Sequence, residues 1–158
     1  MLAPWAEIGY KIDTSNMSAN ILKKTLSELT QLKEDQLALQ FSSFGYKFGI
    51  PLDADFIFDV RCLPNPHYES NLKNLTGIDK PVVDFFENYK EVDKMFHDIN
   101  HFINEWLNAF KTDQRHSLNI AIGCTGGKHR SVYIANKLFT NFSNPKSQVI
   151  IRHRDINH

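Results

Sequence analysis

The segment 123–131 brings turn-forming, basic and hydroxyl side chains together within nine residues. Its functional members are Gly123, Thr125, Gly126, Gly127, Lys128, His129, Arg130 and Ser131. A short apolar run at 118–122 precedes it and apolar residues at helical spacing follow it, which predicts a strand, a tight turn and a helix. Helix N-termini present unpaired N–H groups that favour an anion. The segment therefore predicts an anion-binding loop, with an ordinary strand–helix connection as the alternative.

Cys124 and Arg130 have the C-x5-R spacing of cysteine-dependent phosphatases. In such enzymes a thiolate attacks phosphorus, while loop N–H groups and the arginine hold the phosphoryl oxygens. Gly123 stands where many of these enzymes have histidine, and Lys128 and His129 are bulky for the interior of such a loop. Three aspartates are available as the general acid: Asp55, Asp59 and Asp113. A phosphatase therefore remains the alternative, and we expect Cys124 to be a buried thiol.

Other motifs for nucleotides and metals are absent from the sequence. The P-loop pattern G-x-x-x-x-G-K-[ST] fails because His129 follows Lys128 and position 122 is not glycine. No G-x-G-x-x-G pattern occurs either. His97 and His101 are four residues apart on a predicted helix, but no third ligand stands beside them, so no metal site is predicted. We expect no ATP hydrolysis and no cofactor from this chain.

The order of the predicted elements after residue 36 favours an α/β fold with a parallel or mixed sheet flanked by helices. Strands are predicted at 37–41, 56–60, 118–122 and 148–154, and helices at 81–86, 91–110 and 132–142. Residues 42–51 are predicted to form a loop. The alternation of the second strand places Phe56, Phe58, Val60 and Cys62 on one face.

Polar side chains follow the predicted strands, and ligands of parallel sheets bind beyond the carboxyl ends of the strands. These side chains are Lys47, Arg61, His67, those of the 123–131 loop, Arg152 and Arg154. We expect His67 to contact an oxyanion rather than to be a plain surface histidine. Asp59 is expected to orient Arg61 or to form a simple ion pair with it. Asp53 and Asp55 are assigned to turns and caps.

Composition and charge indicate a globular domain with an uneven charge distribution. The 158 residues are 42% hydrophobic and carry no net charge. Residues 1–110 hold 10 Lys/Arg against 16 Asp/Glu, whereas residues 111–158 hold 8 against 2. This asymmetry is typical of a basic face suited to phosphates or nucleic acid. The alternative is that the folded surface mixes the charges of the two regions. With no membrane span or secretory signal in the sequence, we expect a cytoplasmic protein with free thiols at Cys62 and Cys124.

Residues 1–35 are predicted to be the final strand and helix of a longer domain. Residues 8–12 form a short alternating stretch, residues 18–30 carry one apolar helical face, and residues 31–35 are a polar joint. A second domain is predicted at 36–158.

Several motifs resemble the RapZ/YvcJ family of bacterial RNase adapter and nucleotide-binding proteins. They are FGYK at 44–47, GIPLDAD at 49–55, FDVR at 58–61, LPNPH at 63–67, LTGIDKP at 75–81 and AIGCTGGKHRSVYIA at 121–135. The resemblance covers about residues 6–156. In that family an N-terminal P-loop domain precedes a C-terminal α/β domain reminiscent of a phosphofructokinase subdomain. Because the glycine–lysine loop that would bind ATP or GTP is missing here, the chain resembles a C-terminal portion.

The resemblance implies a regulatory domain without catalytic activity of its own. The family is implicated in binding glucosamine-6-phosphate, small regulatory RNA, an endoribonuclease and two-component system proteins, and in forming homo-oligomers. Through these partners it helps to control hexosamine synthesis. ATP or GTP would belong to the family's N-terminal domain.

The resemblance also implies where the ligands bind. The aminosugar-phosphate pocket is expected to be lined by His67, Thr125, Gly126 and Arg130, which agrees with the predicted anion-binding loop. Gly127, Ser131 and Arg61 are expected to bind the same ligand. RNA contacts are expected at Lys128, Arg130, Arg152 and Arg154. The family's basic C-terminal tail is replaced here by a sequence ending at His158, which weakens the expectation of RNA binding.

Overall fold

The computed structural model describes Leu22 and residues 37–112, 117–144 and 148–157. The chain divides into two units, Met1–Asp35 and Gln36–His158. Apart from Leu22, which is helical, the predicted strand and helix within 1–35 lie outside the described residues, so their assignment to a P-loop domain stays a prediction.

The second unit alternates strands and helices. Its strands are β1 (Ala38–Gly45), β2 (Phe56–Asp59), β3 (Ser117–Cys124) and β4 (Val149–His153), and its α-helices are α1 (Lys80–Glu87), α2 (Lys90–Thr112) and α3 (Arg130–Phe142). Short 3-10 turns at Tyr46–Phe48 and Pro66–Tyr68 follow β1 and β2. Every predicted strand and helix of this unit is present, with boundaries shifted by a few residues.

The four strands form one parallel sheet in the order β2-β3-β1-β4. Gly45 at the end of β1 pairs with Cys124 at the end of β3, and Asp59 of β2 pairs with Gly123. The carboxyl ends of these three strands therefore meet at one edge of the sheet. The α/β class and the parallel sheet are confirmed. The strands run parallel, as the predicted grouping of the polar residues at a common edge assumed.

All three α-helices contribute to the core that covers one face of the sheet. Phe41 and Ile120 are fully buried in that core together with Phe86 of α1, Ile99 of α2 and Ile134 of α3. Because strand side chains alternate, Ser42, Phe44 and Asn119 lie on the opposite face. We call these the helical face and the second face of the sheet.

The connection between β1 and β2 is fastened to β3. The Asp55 backbone N–H donates to the Asn119 carbonyl oxygen at 2.9 Å, and the Asn119 N–H donates to Asp55 Oδ2 at 2.8 Å. The Asn119 side-chain amide donates to the Asp53 carbonyl oxygen at 3.0 Å. Asp55 and Asn119 thus hold the start of β2 against β3 through long-range bonds, which differ from the local turn and cap roles expected for Asp55.

Two details of the predicted strands are wrong. β1 continues through Ser42, Ser43 and Gly45, a stretch predicted to be loop. Both serines are buried because each hydroxyl finds a distant partner: Ser42 Oγ donates to Asn119 Oδ1, and Ser43 Oγ bonds His153 Nδ1. β2 ends at Asp59, so its alternation stops before Cys62, which is exposed rather than on the buried face.

No helix in the described part of the chain is long and apolar enough to cross a membrane. Within the same residues, no group of three or more His, Cys, Asp and Glu side chains is placed to hold a metal ion. His97 contacts Asp93 on its own helix at 3.3 Å.

Gly77 allows the loop before α1 to approach the start of α3. Its N–H donates to the Lys128 carbonyl oxygen at 2.9 Å. A Cβ at Gly77 would lie against the His129 carbonyl oxygen and 2.5 Å from the Tyr133 backbone nitrogen. The 76–79 loop therefore depends on glycine for its contact with the 123–131 loop.

We predict that Gly77→Ala lowers the free energy of unfolding by about 1–3 kcal/mol, because backbone atoms must move to admit the new methyl group. Chemical denaturation with circular dichroism measures this. Gly126→Ala is the matched control: no atom lies within 4 Å of its added Cβ, so its stability should change by less than about 0.5 kcal/mol. Equal stabilities for the two variants would contradict the close contact.

Candidate functional site

The loop between β3 and α3 is the centre of the candidate site. Gly127 has φ 72°, a left-handed conformation that glycine adopts without strain. His129 occupies the N-cap position of α3, but its side chain makes no capping hydrogen bond. The N-terminus of α3 therefore lacks the side-chain acceptor that usually satisfies its first N–H groups, which suits an external anion.

Cys124 lies beneath the loop and faces the core. Its side chain is buried among apolar residues of the helical face. The Gly127 N–H donates to its sulfur at 3.2 Å, and Ser131 Oγ lies 3.1 Å from the same atom. The thiol thus holds the loop closed from inside, as expected for a structural cysteine, and Ser131 is turned toward it.

Arg130 is buried and ties the loop to the segment after β2. Only 6% of the residue is exposed. Its Nη1 donates to the carbonyl oxygens of Arg61 at 2.6 Å and Leu63 at 3.3 Å, and its Nη2 donates to Thr125 Oγ1 at 3.3 Å. Its Nε is buried and has no hydrogen-bond partner in the structure described here. A charged group with an unsatisfied N–H in a buried position favours an oxyanion beside it.

Arg61 is held in place beside this buried arginine. Its Nε and Nη2 donate to both carboxylate oxygens of Asp59, with Nη2 to Oδ2 at 2.6 Å, and its guanidinium lies 4.1 Å from the centre of the Tyr46 ring. The hydrogen bonds from Arg61 hold the pKa of Asp59 below its usual range. Asp59 thus both pairs with Arg61 and orients it, leaving half of the Arg61 side chain exposed.

Two histidines, one in the loop and one beside it, lie in different environments. His67 is exposed in the turn after β2, and its ring centre lies 6.4 Å from that of His129. His129 is buried, and its Nε2 lies 3.2 Å from the Leu72 carbonyl oxygen, which fixes Nε2 as the protonated nitrogen. Burial lowers the pKa of His129 below 6.5, which favours the neutral ring. His67 therefore remains the histidine of this pair that is accessible to a ligand.

The structure brings one set of predicted residues together and separates another. Arg61, Thr125 and Arg130 are joined by hydrogen bonds, with Gly126, Gly127 and Lys128 in the same loop and His67 beside His129. Arg152 and Arg154 instead lie at the end of β4. Arg154 forms an ion pair with Asp155 at 2.8 Å and donates to the Gly49 carbonyl oxygen at 2.7 Å. Its guanidinium is therefore engaged within the protein.

Three residues of the site have no counterpart in the sequence predictions. Tyr46 supports Arg61, Gly45 lies against the backbone of Gly126, and the buried Asp155 accepts from the Gly45 N–H at 2.7 Å. The FGYK motif contains the first two, but only as part of a loop. Asp155 is one of only two acidic residues in the basic stretch 111–158. This isolation weakly indicates that it is buried and paired with a basic group.

We predict that stability falls as pH drops from 7.5 to 5.5. Burial lowers the pKa of both His129 and His153 in the folded protein. Below about 6.5 the unfolded chain therefore binds protons that the folded protein does not, and stability that is complete above this value is lost toward the folded-state pKa. Denaturant midpoints across the range measure the slope.

His129→Gln keeps a side-chain N–H for the Leu72 carbonyl and should reduce this slope. His101→Gln, at an exposed position of α2, is the control and should leave the slope as in the original protein. A slope that His129→Gln does not change would show that the buried ring makes no contribution to it.

Known proteins are similar to this chain over almost its whole length. The family model described as the RapZ C-terminal domain matches residues 37–157. A "nucleotide-binding protein" of Methylobacillus flagellatus is 51% identical over 156 residues, which are 99% of this chain and 56% of that protein. Proteins of the same description from Paraburkholderia phytofirmans and Burkholderia mallei are 50% and 51% identical over 98% of this chain and 52% of their own lengths.

The chain therefore spans about half the length of the curated relatives it matches. The family match covers the whole parallel sheet, all three α-helices and the 123–131 loop. On these grounds, the chain belongs to the family of RapZ C-terminal domains.

Proposed function

We propose that the 123–131 loop binds an aminosugar phosphate, such as glucosamine-6-phosphate, and that the domain is a regulatory one without catalysis. The observation that carries the proposal is the buried Arg130, whose Nε–H lacks a partner at the N-terminus of a helix without a side-chain cap. A phosphate bound at this helix N-terminus would accept from its free backbone N–H groups and balance the charge of Arg130.

The surrounding charges favour a phosphate over a neutral sugar. Arg61, His67 and Lys128 lie around Arg130, and Thr125 adds a hydroxyl at the same edge of the sheet. Gly126 presents open space on the outer side of the loop, which allows a ligand to approach the backbone closely. Gly127 and Ser131 complete the loop, although their contacts to Cys124 point inward.

The regulatory part of the proposal rests on the family. We infer that the domain binds small RNA and protein partners, including an endoribonuclease and two-component system proteins, assembles as a homo-oligomer, and helps to control hexosamine synthesis. Of the four basic residues proposed for RNA, Lys128 and Arg152 carry the contact best, because Arg130 is buried and Arg154 is paired with Asp155. ATP or GTP binding is not assigned to this chain, since it lacks the P-loop pattern.

A cysteine-dependent phosphatase is the second candidate, because Gly127 N–H and Ser131 Oγ both contact Cys124 Sγ and Arg130 follows at the required spacing. Two observations disfavour it. The thiol is 3% exposed and packs in the apolar core, away from a ligand on the outer side of the loop. Asp55 and Asp59 are engaged with Asn119 and Arg61, which leaves neither free as the general acid.

We predict that glucosamine-6-phosphate binds in isothermal titration calorimetry and that Gly126→Ala weakens it at least about tenfold, because the added methyl group occupies the approach to the loop. Glucosamine, which lacks the phosphate, should bind far more weakly. Since Gly126→Ala is expected to keep its stability, lost binding would report the site rather than unfolding.

Two results would contradict this proposal. The first is unchanged affinity for the sugar phosphate in Gly126→Ala, or no binding by the original protein. The second is hydrolysis of p-nitrophenyl phosphate that disappears in Cys124→Ser, which would establish the phosphatase instead.

For RNA, we predict an affinity that falls steeply with salt and a log–log salt slope that drops by about one in Lys128→Ala and in Arg152→Ala, as one phosphate contact is lost in each. Filter binding between 50 and 300 mM KCl measures the slope. Lys90→Ala, an exposed cation at the start of α2, is the control. A slope near zero in the original protein would exclude a phosphate-contacting surface.

A further inference from the structure

A cavity of about 330 Å³ opens on the second face of the sheet, separate from the 123–131 loop. It lies between the second half of β1, the 50–53 segment and the end of β4. Its volume is at the lower end of the range for small-molecule pockets, roughly 300–1,000 Å³. The proposed sugar-phosphate site uses none of the side chains that line it.

One wall of the cavity is apolar and exposed. Ile50 is 53% exposed and Leu52 is fully exposed, and Pro51 lies between them. Phe44 is buried at the base. These side chains leave apolar surface in water that a ligand could cover, which would favour binding of a molecule with an apolar body.

The opposite wall carries the positive charge. Arg154 is neutralised there by Asp155, which it contacts through Nε at 3.0 Å and Nη2 at 2.8 Å. Arg152 is exposed and makes no hydrogen bond or ion pair in the described part of the chain. Asp53 also lines the cavity and disfavours a second negative charge on the ligand. Arg152 is therefore the side chain available to an acidic group.

Gly45 links this cavity to the 123–131 loop. Arg154 Nη2 donates to the Gly45 carbonyl oxygen at 3.3 Å, and Asp155 Oδ2 accepts from the Gly45 N–H at 2.7 Å. On its other side, a Cβ at Gly45 would lie 2.6 Å from the Gly126 carbonyl carbon. Backbone packs on backbone between Gly45 and Gly126, so a shift of Gly45 is passed directly to the loop.

We propose that this cavity binds a small organic monoanion with an apolar body, and that its occupancy is transmitted through Gly45 to the 123–131 loop. Arg152 binds the acidic group, and Ile50 and Leu52 cover the apolar part. Binding itself is independent of the sugar-phosphate site, whereas its regulatory consequence rests on the function proposed above.

Phenylacetate is the probe for this proposal, followed by ¹H–¹⁵N NMR of the complete 158-residue chain. We expect saturable shifts of the Ser42, Phe44 and Arg152 amides, and smaller shifts of Gly45 and Gly126 that follow the same curve. Neutral phenylacetamide should shift these signals at least about tenfold more weakly, because it lacks the charge. Phenyl phosphate, a dianion, should bind less tightly than phenylacetate because Asp53 repels it.

Variants at the two charged residues Arg152 and Asp53 have opposite expected effects. Arg152→Ala should weaken phenylacetate about tenfold, whereas Asp53→Asn should strengthen it about two- to fivefold. Lys90→Ala, a surface cation on another element, should leave the affinity unchanged. Because both wall residues are exposed, neither change is expected to unfold the protein.

Three outcomes would overturn the proposal: no saturable shift, shifts that persist unchanged in Arg152→Ala, or shifts centred on the 123–131 loop that Gly126→Ala removes. Shifts at the cavity without any at Gly45 and Gly126 would overturn the transmitted effect. Failure of glucosamine-6-phosphate to bind would contradict the proposed function alone, since phenylacetate is titrated without it.

Discussion

The buried guanidinium of Arg130 is the constraint on which the arrangement of the site depends. Arginine stays charged in proteins, and removing its charge from water is unfavourable unless polar groups surround it. The carbonyl oxygens of Arg61 and Leu63 and the hydroxyl of Thr125 provide that surrounding. They thereby fix the segment after β2 against the start of α3. The remaining N–H, at Nε, is buried and has no hydrogen-bond partner among the described residues.

The second constraint is the contact between the end of β1 and the 123–131 loop. Gly45 and Gly127 approach each other so closely that a Cβ on either would meet the other's backbone or its immediate neighbour. Asp155 and Arg154 hold Gly45 from the other side. The loop is therefore supported by its own thiol contact, by Arg130 and by the strand beside it. These contacts hold the loop in one shape and join it to the second face of the sheet.

Sequence reasoning was most successful where the signal is local. Helical periodicity located α2 and α3, Pro81 indicated the start of α1, and alternation located β2. It failed in β1, where Ser42 and Ser43 read as loop although both are buried. Their partners, Asn119 and His153, are 77 and 110 residues away, so no local pattern indicates the pairing. Distance also hid one partner of Arg154, the Gly49 carbonyl oxygen, which lies 105 residues earlier in the chain.

The sequence by itself determined the kinds of element, their order and the chemical content of the 123–131 loop. These follow from side-chain periodicity and turn chemistry, which act between residues a few positions apart. Only the tertiary structure decided the strand order, the burial of Arg130 and His129, and which cations stay free for a ligand. Those properties depend on packing and hydrogen bonds between distant segments. The sequence shows that a residue is basic, but its neighbours in the fold decide whether its charge is paired within the protein or accessible to a partner.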